Sequence, residues 1–78
     1  MEDLIGVREA CAMLGRTRFA LIEWGHAGFG PPPRKLGWAV FYRRSGVEAF
    51  IAAGGLEDAR RGGVARAAAR RQTEQQAA

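Results

Sequence analysis

Residues 7–26, VREACAMLGRTRFALIEWGH, carry the strongest structural signal in the sequence. From Val7 to Leu14, apolar side chains recur at i, i+3, i+4 and i+7, which is the spacing of one face of an α-helix. Gly15 is suited to end that helix, and Thr17 is suited to cap a second one two residues later. The stretch therefore predicts a helix over residues 7–14, a tight turn, and a second helix over residues 18–26.

The segment after the second helix predicts a small β-hairpin. Residues 28–33, GFGPPP, cannot continue a helix, because proline lacks an amide donor and glycine disfavours helical backbone. Residues 34–43, RKLGWAVFYR, are then rich in aromatic and β-branched side chains. This composition predicts two strands, with the turn near Gly37 and Trp38.

A third helix is predicted by residues 45–48, SGVE, which match the capping-box pattern. In that motif Ser45 accepts from the amide of Glu48, whose side chain reaches back to Ser45. Two glycines at positions 54 and 55 end the helix. The sequence thus favours a domain over residues 1–54, followed at residues 55–78 by a basic tail rich in Ala and Arg, either disordered or a solvated helix.

The charge balance favours a polyanionic partner. The chain of 78 residues holds 12 Lys and Arg against 8 Asp and Glu, a net charge of +4. All but Lys35 of these cations are arginines, whose forked donors suit phosphates and guanine edges. With a single cysteine, an acidic N-terminus at Glu2 and Asp3, and no apolar run near the roughly 18 residues of a membrane span, a cytoplasmic location without membrane association is expected.

Candidate catalytic and metal-binding groups are few. Cys11 and His26 are the only soft metal ligands, whereas a zinc site takes at least three protein ligands. No base partner for Cys11 is evident, and the glycines at 28 and 30 precede prolines instead of a phosphate-binding helix. We therefore expect no catalytic residue, no metal, no cofactor and no small-molecule substrate, and we do not expect an enzyme.

The order of these elements resembles the excisionase and AlpA-type regulator family, relatives of the MerR DNA-binding head. The resemblance covers residues 4–51. Leu4 and Ile5 match the apolar start of the family, and residues 7–18 match its first helix and turn. Residues 28–33 match its Gly-x-x-Pro-x-Pro connection, and residues 34–44 match its wing. Residues 45–50 match its third helix, where Gly46 replaces the usual Asp.

This resemblance implies a mainly α fold with a small β-hairpin, a winged helix-turn-helix. It also implies sequence-specific binding of double-stranded DNA, as a mobile-element excisionase or as an AlpA-like transcription regulator. Copies of the chain, or an integrase, would be the protein partners. The residues implied in DNA contact are Arg16, Thr17, Arg18, Phe19, Ile22, Arg34, Lys35, Arg43 and Arg44.

Alternatives remain open for several of these positions. Phe19 and Ile22 fit a protein interface as well as thymine methyl groups, and the cations of the hairpin fit an ordinary charged surface. The chain would then be an interaction adaptor, such as a replication accessory subunit or a DNA-packaging subunit like the terminase small subunits that share such heads. Among the aromatics, Trp24, Phe41 and Phe50 are assigned to the core, and Trp38 is left unassigned.

Overall fold

The computed structural model describes residues 3–77, a mainly helical chain with a small three-stranded antiparallel sheet. The helices predicted from the sequence are therefore confirmed, and so is the predicted hairpin. The elements in chain order are β1 (Leu4–Gly6), α1 (Val7–Leu14), α2 (Arg18–Ala27), β2 (Arg34–Leu36), β3 (Ala39–Arg43), α3 (Arg44–Ala52), α4 (Gly55–Arg60) and α5 (Gly63–Ala77).

The first two helices begin and end almost where the sequence predicts. Gly15 ends α1 in a left-handed conformation, with φ of 65°. The Thr17 side chain accepts a hydrogen bond from the amide of Ala20 at 3.1 Å and so caps α2. The second helix extends one residue beyond the prediction, to Ala27, and Gly28 ends it.

The hairpin is joined by a strand that the sequence analysis did not predict. Strand β3 lies in the centre of the sheet, with β2 on one side and β1 on the other. Ile5 pairs with Tyr42, and both side chains are buried. The N-terminal segment is therefore fixed to the hairpin, and α1 follows it without a loop.

The predicted capping box at Ser45 is wrong. Helix α3 already begins at Arg44, because β3 runs directly into it, and Ser45 lies inside its first turn. The amide of Ser45 donates instead to the carboxylate of Asp3 at 2.7 Å, and the amide of Arg44 donates to the Asp3 carbonyl at 2.8 Å. The hydrogen bond from the Ser45 amide holds the pKa of the Asp3 carboxyl below its ordinary value. Pairing of β1 with β3 thus brings Asp3 of the N-terminal segment to the start of α3, where it replaces the local cap.

The core lies between the sheet and helices α1, α2 and α3. Leu14 and Val47 are almost completely buried, and Trp24 is 6% exposed. The rings of Trp24, Phe29 and Phe50 contact one another edge-on or tilted, with centroids 5.2 to 5.6 Å apart. Trp24 is therefore a core residue, as predicted, while Phe50 and Phe41 are partly buried.

The segment that follows Gly54 is helical. Three apolar side chains of this segment, Leu56, Ala59 and Val64, are partly buried and pack against the core. Helix α5 lies along α2, where the Arg71 guanidinium approaches the Gly25 carbonyl at 3.4 Å. Of the residues described, none belongs to a helix long and apolar enough to cross a membrane.

Candidate nucleic-acid interface

The outer face of α2 carries apolar side chains that the fold leaves exposed. Phe19 is 70% exposed and Ile22 is 49% exposed, whereas Leu21 and Trp24 on the opposite face are buried. Three residues separate Phe19 from Ile22, so both lie on one side of the helix. The structure therefore brings two of the sequence-predicted contact residues to one outward surface.

Arg18 begins α2 and is exposed beside this surface. Its side chain shares a hollow of about 340 Å³ with Arg8 and Cys11 of α1. Two cations thus lie at the N-terminal end of α2, where the helix dipole adds partial positive charge. Arg8 was missed in the sequence analysis because its helical position indicated only a solvent-facing residue.

The turn between α1 and α2 holds the other two predicted residues of this region. Arg16 is partly buried, and its guanidinium donates to the carbonyl of Gly15 at 3.2 Å. Thr17 is exposed, but its hydroxyl oxygen already accepts the capping hydrogen bond from Ala20. The hydroxyl proton of Thr17 is the group still able to serve a ligand.

The hairpin divides its cations between two sides. Lys35 pairs with Val40 across the strands and lines a groove of about 610 Å³ together with Ile22 of α2. Arg34 and Arg43 lie on the other side, where they line a shallow hollow of about 320 Å³ with the prolines at 31–33. Lys35 therefore lies beside the exposed face of α2, whereas Arg34 and Arg43 lie together on a second surface.

Arg44 forms an ion pair within the protein. Its guanidinium forms an ion pair with Glu9 of α1 and lies 4.0 Å from the sulfur of Met13. Both side chains of the ion pair are about half exposed. Arg44 therefore links α3 to α1, and its charge is balanced locally.

The tip of the hairpin is apolar. Trp38 is 97% exposed, and Leu36 is 47% exposed. The sequence placed Trp38 at the turn but did not decide between burial and exposure. The position beside Gly37 could have predicted the exposure of Trp38, because a side chain in a two-residue turn lies beyond the paired strands.

The described side chains include no cluster of three or more His, Cys, Asp or Glu that could hold a metal ion. Comparison of the chain with family models, curated proteins and solved structures found no match.

Proposed function

We propose that the chain binds double-stranded DNA as a winged helix-turn-helix protein, with α2 as the recognition helix and the β2–β3 hairpin as the wing. One observation carries the proposal. Helix α2 follows α1 after a tight turn and directs Arg18, Phe19 and Ile22 outward, while Lys35 of the hairpin lines the same groove as Ile22. A helix presented in this way fits the major groove, and an adjacent hairpin reaches the flanking backbone.

The chemistry of this surface suits a base-reading helix. Arg18 can donate two hydrogen bonds to a guanine edge, and the amides at the start of α2 favour a phosphate. Phe19 and Ile22 can contact thymine methyl groups, which only the major groove presents. Lys35, with Arg34 and Arg43 on the other side of the wing, supplies contacts to phosphates that orient the helix.

In this proposal the protein acts in the cytoplasm as a mobile-element excisionase or an AlpA-like regulator, without catalysis or a cofactor. A single copy covers a short DNA site, and so useful specificity needs further contacts. Neighbouring copies on repeated sites, or an integrase bound beside them, would provide those contacts.

Selection from a random pool of duplexes tests the proposal. The full chain is mixed with the pool at two salt concentrations, and the retained duplexes are sequenced. We expect a short motif that Arg18→Ala weakens or loses, with about 1–3 kcal/mol of discrimination at one base pair. Arg60→Ala is the matched control, because it removes the same charge from α4, where Arg60 lies beside Glu57.

Retention without any enriched motif, equal for wild type and Arg18→Ala, would contradict sequence reading by α2. Absence of duplex binding at both salt concentrations would contradict the proposal as a whole.

A protein-interaction adaptor is the second candidate, favoured by the exposure of Phe19 at 70% and Ile22 at 49%. Large apolar side chains grouped on one surface are typical of protein interfaces. Phe19→Ala and Ile22→Ala separate the two functions. If these variants change the sedimentation coefficient of the protein but bind the selected duplex like the wild type, the α2 surface serves a protein partner.

A further inference from the structure

Trp38 is the most exposed large apolar side chain of the described structure, with 97% of its surface accessible. The other tryptophan, Trp24, is 6% exposed and contacts Phe29 and Phe50 in the core. A single exposed apolar residue is common in proteins and needs no explanation by itself. Trp38 is distinguished by its position in a tight turn and by the cations nearby.

Trp38 is held in a defined place by the hairpin. Leu36 pairs with Ala39, so that Gly37 and Trp38 alone connect the strands. Gly37 has φ of 67°, while Trp38 keeps an ordinary negative φ, as in a type II′ turn. The indole therefore projects from a short turn joined to paired strands, and ordering it against a partner costs less entropy than ordering a free loop.

The charge around the tip selects the class of partner. Between Glu23 and Glu48 the sequence has no acidic residue, and two cations, Arg34 and Lys35, lie on the strand that leads to the turn. A partner of this tip must suit nearby positive charge and also receive a flat aromatic ring. Duplex DNA offers both, because its phosphates flank stacked bases whose faces are open to aromatic stacking when a base step opens.

We propose that Trp38 inserts its indole ring between bases of the duplex that the wing grips, and stacks there as a base-contacting residue. This inference rests on the proposed DNA binding and assigns the tip of the wing a role beyond phosphate contact. Leu36, which is 47% exposed next to the turn, adds apolar surface to the wedge. Insertion favours base steps that unstack easily, such as TA and CA.

Fluorescence tests the insertion directly, because the chain has two tryptophans and only one is accessible. The full chain is titrated with the duplex recovered by selection, or with a mixed-sequence duplex rich in TA steps, while acrylamide quenching is recorded. We expect DNA to protect Trp38 from acrylamide and to reduce its emission. Trp38→Phe retains Trp24 alone, so its emission should change little.

Affinity gives the second readout, measured by anisotropy of a labelled duplex at several salt concentrations. Trp38→Ala should weaken binding about tenfold, within the range of losses seen when an aromatic that stacks on a base is removed. The dependence of affinity on salt should stay the same, because the indole carries no charge. Lys35→Ala is the matched control on the same hairpin and should reduce the salt dependence instead.

The outcomes separate this proposal from DNA binding itself. If the wild type binds the duplex, Trp38→Ala binds equally well and the indole stays open to acrylamide, insertion is overturned and DNA binding stands. If the wild type binds no duplex, both proposals fall. Protection of Trp38 by self-association, seen as a sedimentation coefficient that Trp38→Ala lowers without DNA, or protection by acidic lipid vesicles but not by duplex, would likewise overturn the insertion.

Discussion

Lys35 and Arg44 provide a direct test of which cations contact DNA in the proposed complex. The resemblance to the excisionase and AlpA-type family implies that both contact DNA. In the structure Lys35 lines the groove beside Ile22, whereas Arg44 forms an ion pair with Glu9. We expect Lys35→Ala to lower the salt dependence of duplex binding and Arg44→Ala to leave it nearly unchanged.

The magnitude follows from counterion release. Each phosphate that a protein cation neutralises contributes about 0.9 to the slope of log affinity against log salt concentration. A rise from 50 to 200 mM salt is fourfold, so loss of one contact changes the ratio of the two affinities by about 3.5-fold. Arg44 already has Glu9 as its counter-charge, and a phosphate beside both would meet no net charge.

The assay is anisotropy of a labelled duplex titrated with wild type, Lys35→Ala, Arg44→Ala and Glu9→Gln at four salt concentrations. Glu9→Gln releases Arg44 from its partner while keeping the shape of the side chain. If Arg44 lies away from the duplex, Glu9→Gln also leaves the slope unchanged. If Arg44→Ala reduces the salt dependence as much as Lys35→Ala does, and Glu9→Gln increases it, Arg44 contacts a phosphate and this prediction is wrong.

Two further predictions concern stability. The hydrogen bond from the Ser45 amide lowers the pKa of Asp3, so the charged carboxylate stabilises the fold above a pH of about 4, and this contribution is lost as the pH falls. Asp3→Asn should therefore flatten the acid side of a plot of melting temperature against pH, whereas parallel plots for the variant and the wild type would contradict the prediction. Gly30 has φ of 83°, and a Cβ there would lie 2.9 Å from the Trp24 ring, so Gly30→Ala should lower the free energy of unfolding by more than the about 1–2 kcal/mol cost of a left-handed backbone. Gly37 has φ of 67° but open space around it, so Gly37→Ala should cost only the backbone strain, and equal melting temperatures for the two variants would contradict the clash with Trp24.

The elements that could be predicted from the sequence depend on neighbouring residues. Gly15 and Thr17 bound α1 and α2 through hydrogen bonds that span three to five residues. The two strands of the hairpin meet across a short turn at Gly37 and Trp38. Patterns of composition and spacing carry such local information, which is why these bounds agree with the structure within one residue at the ends of α1 and α2.

The features that the sequence did not predict depend on contacts between distant segments. Strand β1 has three residues, too short to show an alternating pattern, and it exists because β3 pairs with it. Asp3 lies 42 residues from Ser45, yet it replaces the local cap that the SGVE pattern indicated. A local motif competes with any partner that the fold brings near, and here the carboxylate of Asp3, which precedes β1, accepts the hydrogen bond from the Ser45 amide.

The candidate site shows the same division between local and distant information. That Phe19 and Ile22 face outward follows from the period of α2, because Leu21 and Trp24 occupy the buried side. The ion pair of Arg44 could not be foreseen, since Glu9 is 35 residues away. Charge in the sequence therefore predicted where cations are dense, but only the packing of α3 on α1 shows that Arg44 is paired with Glu9.

Helix α5 limits how α2 could contact DNA in the proposed complex. Glu23 and His26 line a hollow with Val64 of α5, and Arg71 approaches the carbonyl of Gly25. The second half of α2 is thus flanked by protein, whereas its start at Arg18 remains open. In the proposed DNA complex, α2 enters the major groove from its N-terminal end with that open half and reads only a few base pairs. The hairpin would then supply much of the remaining affinity, which is why its cations and its exposed tip are the most informative places to test.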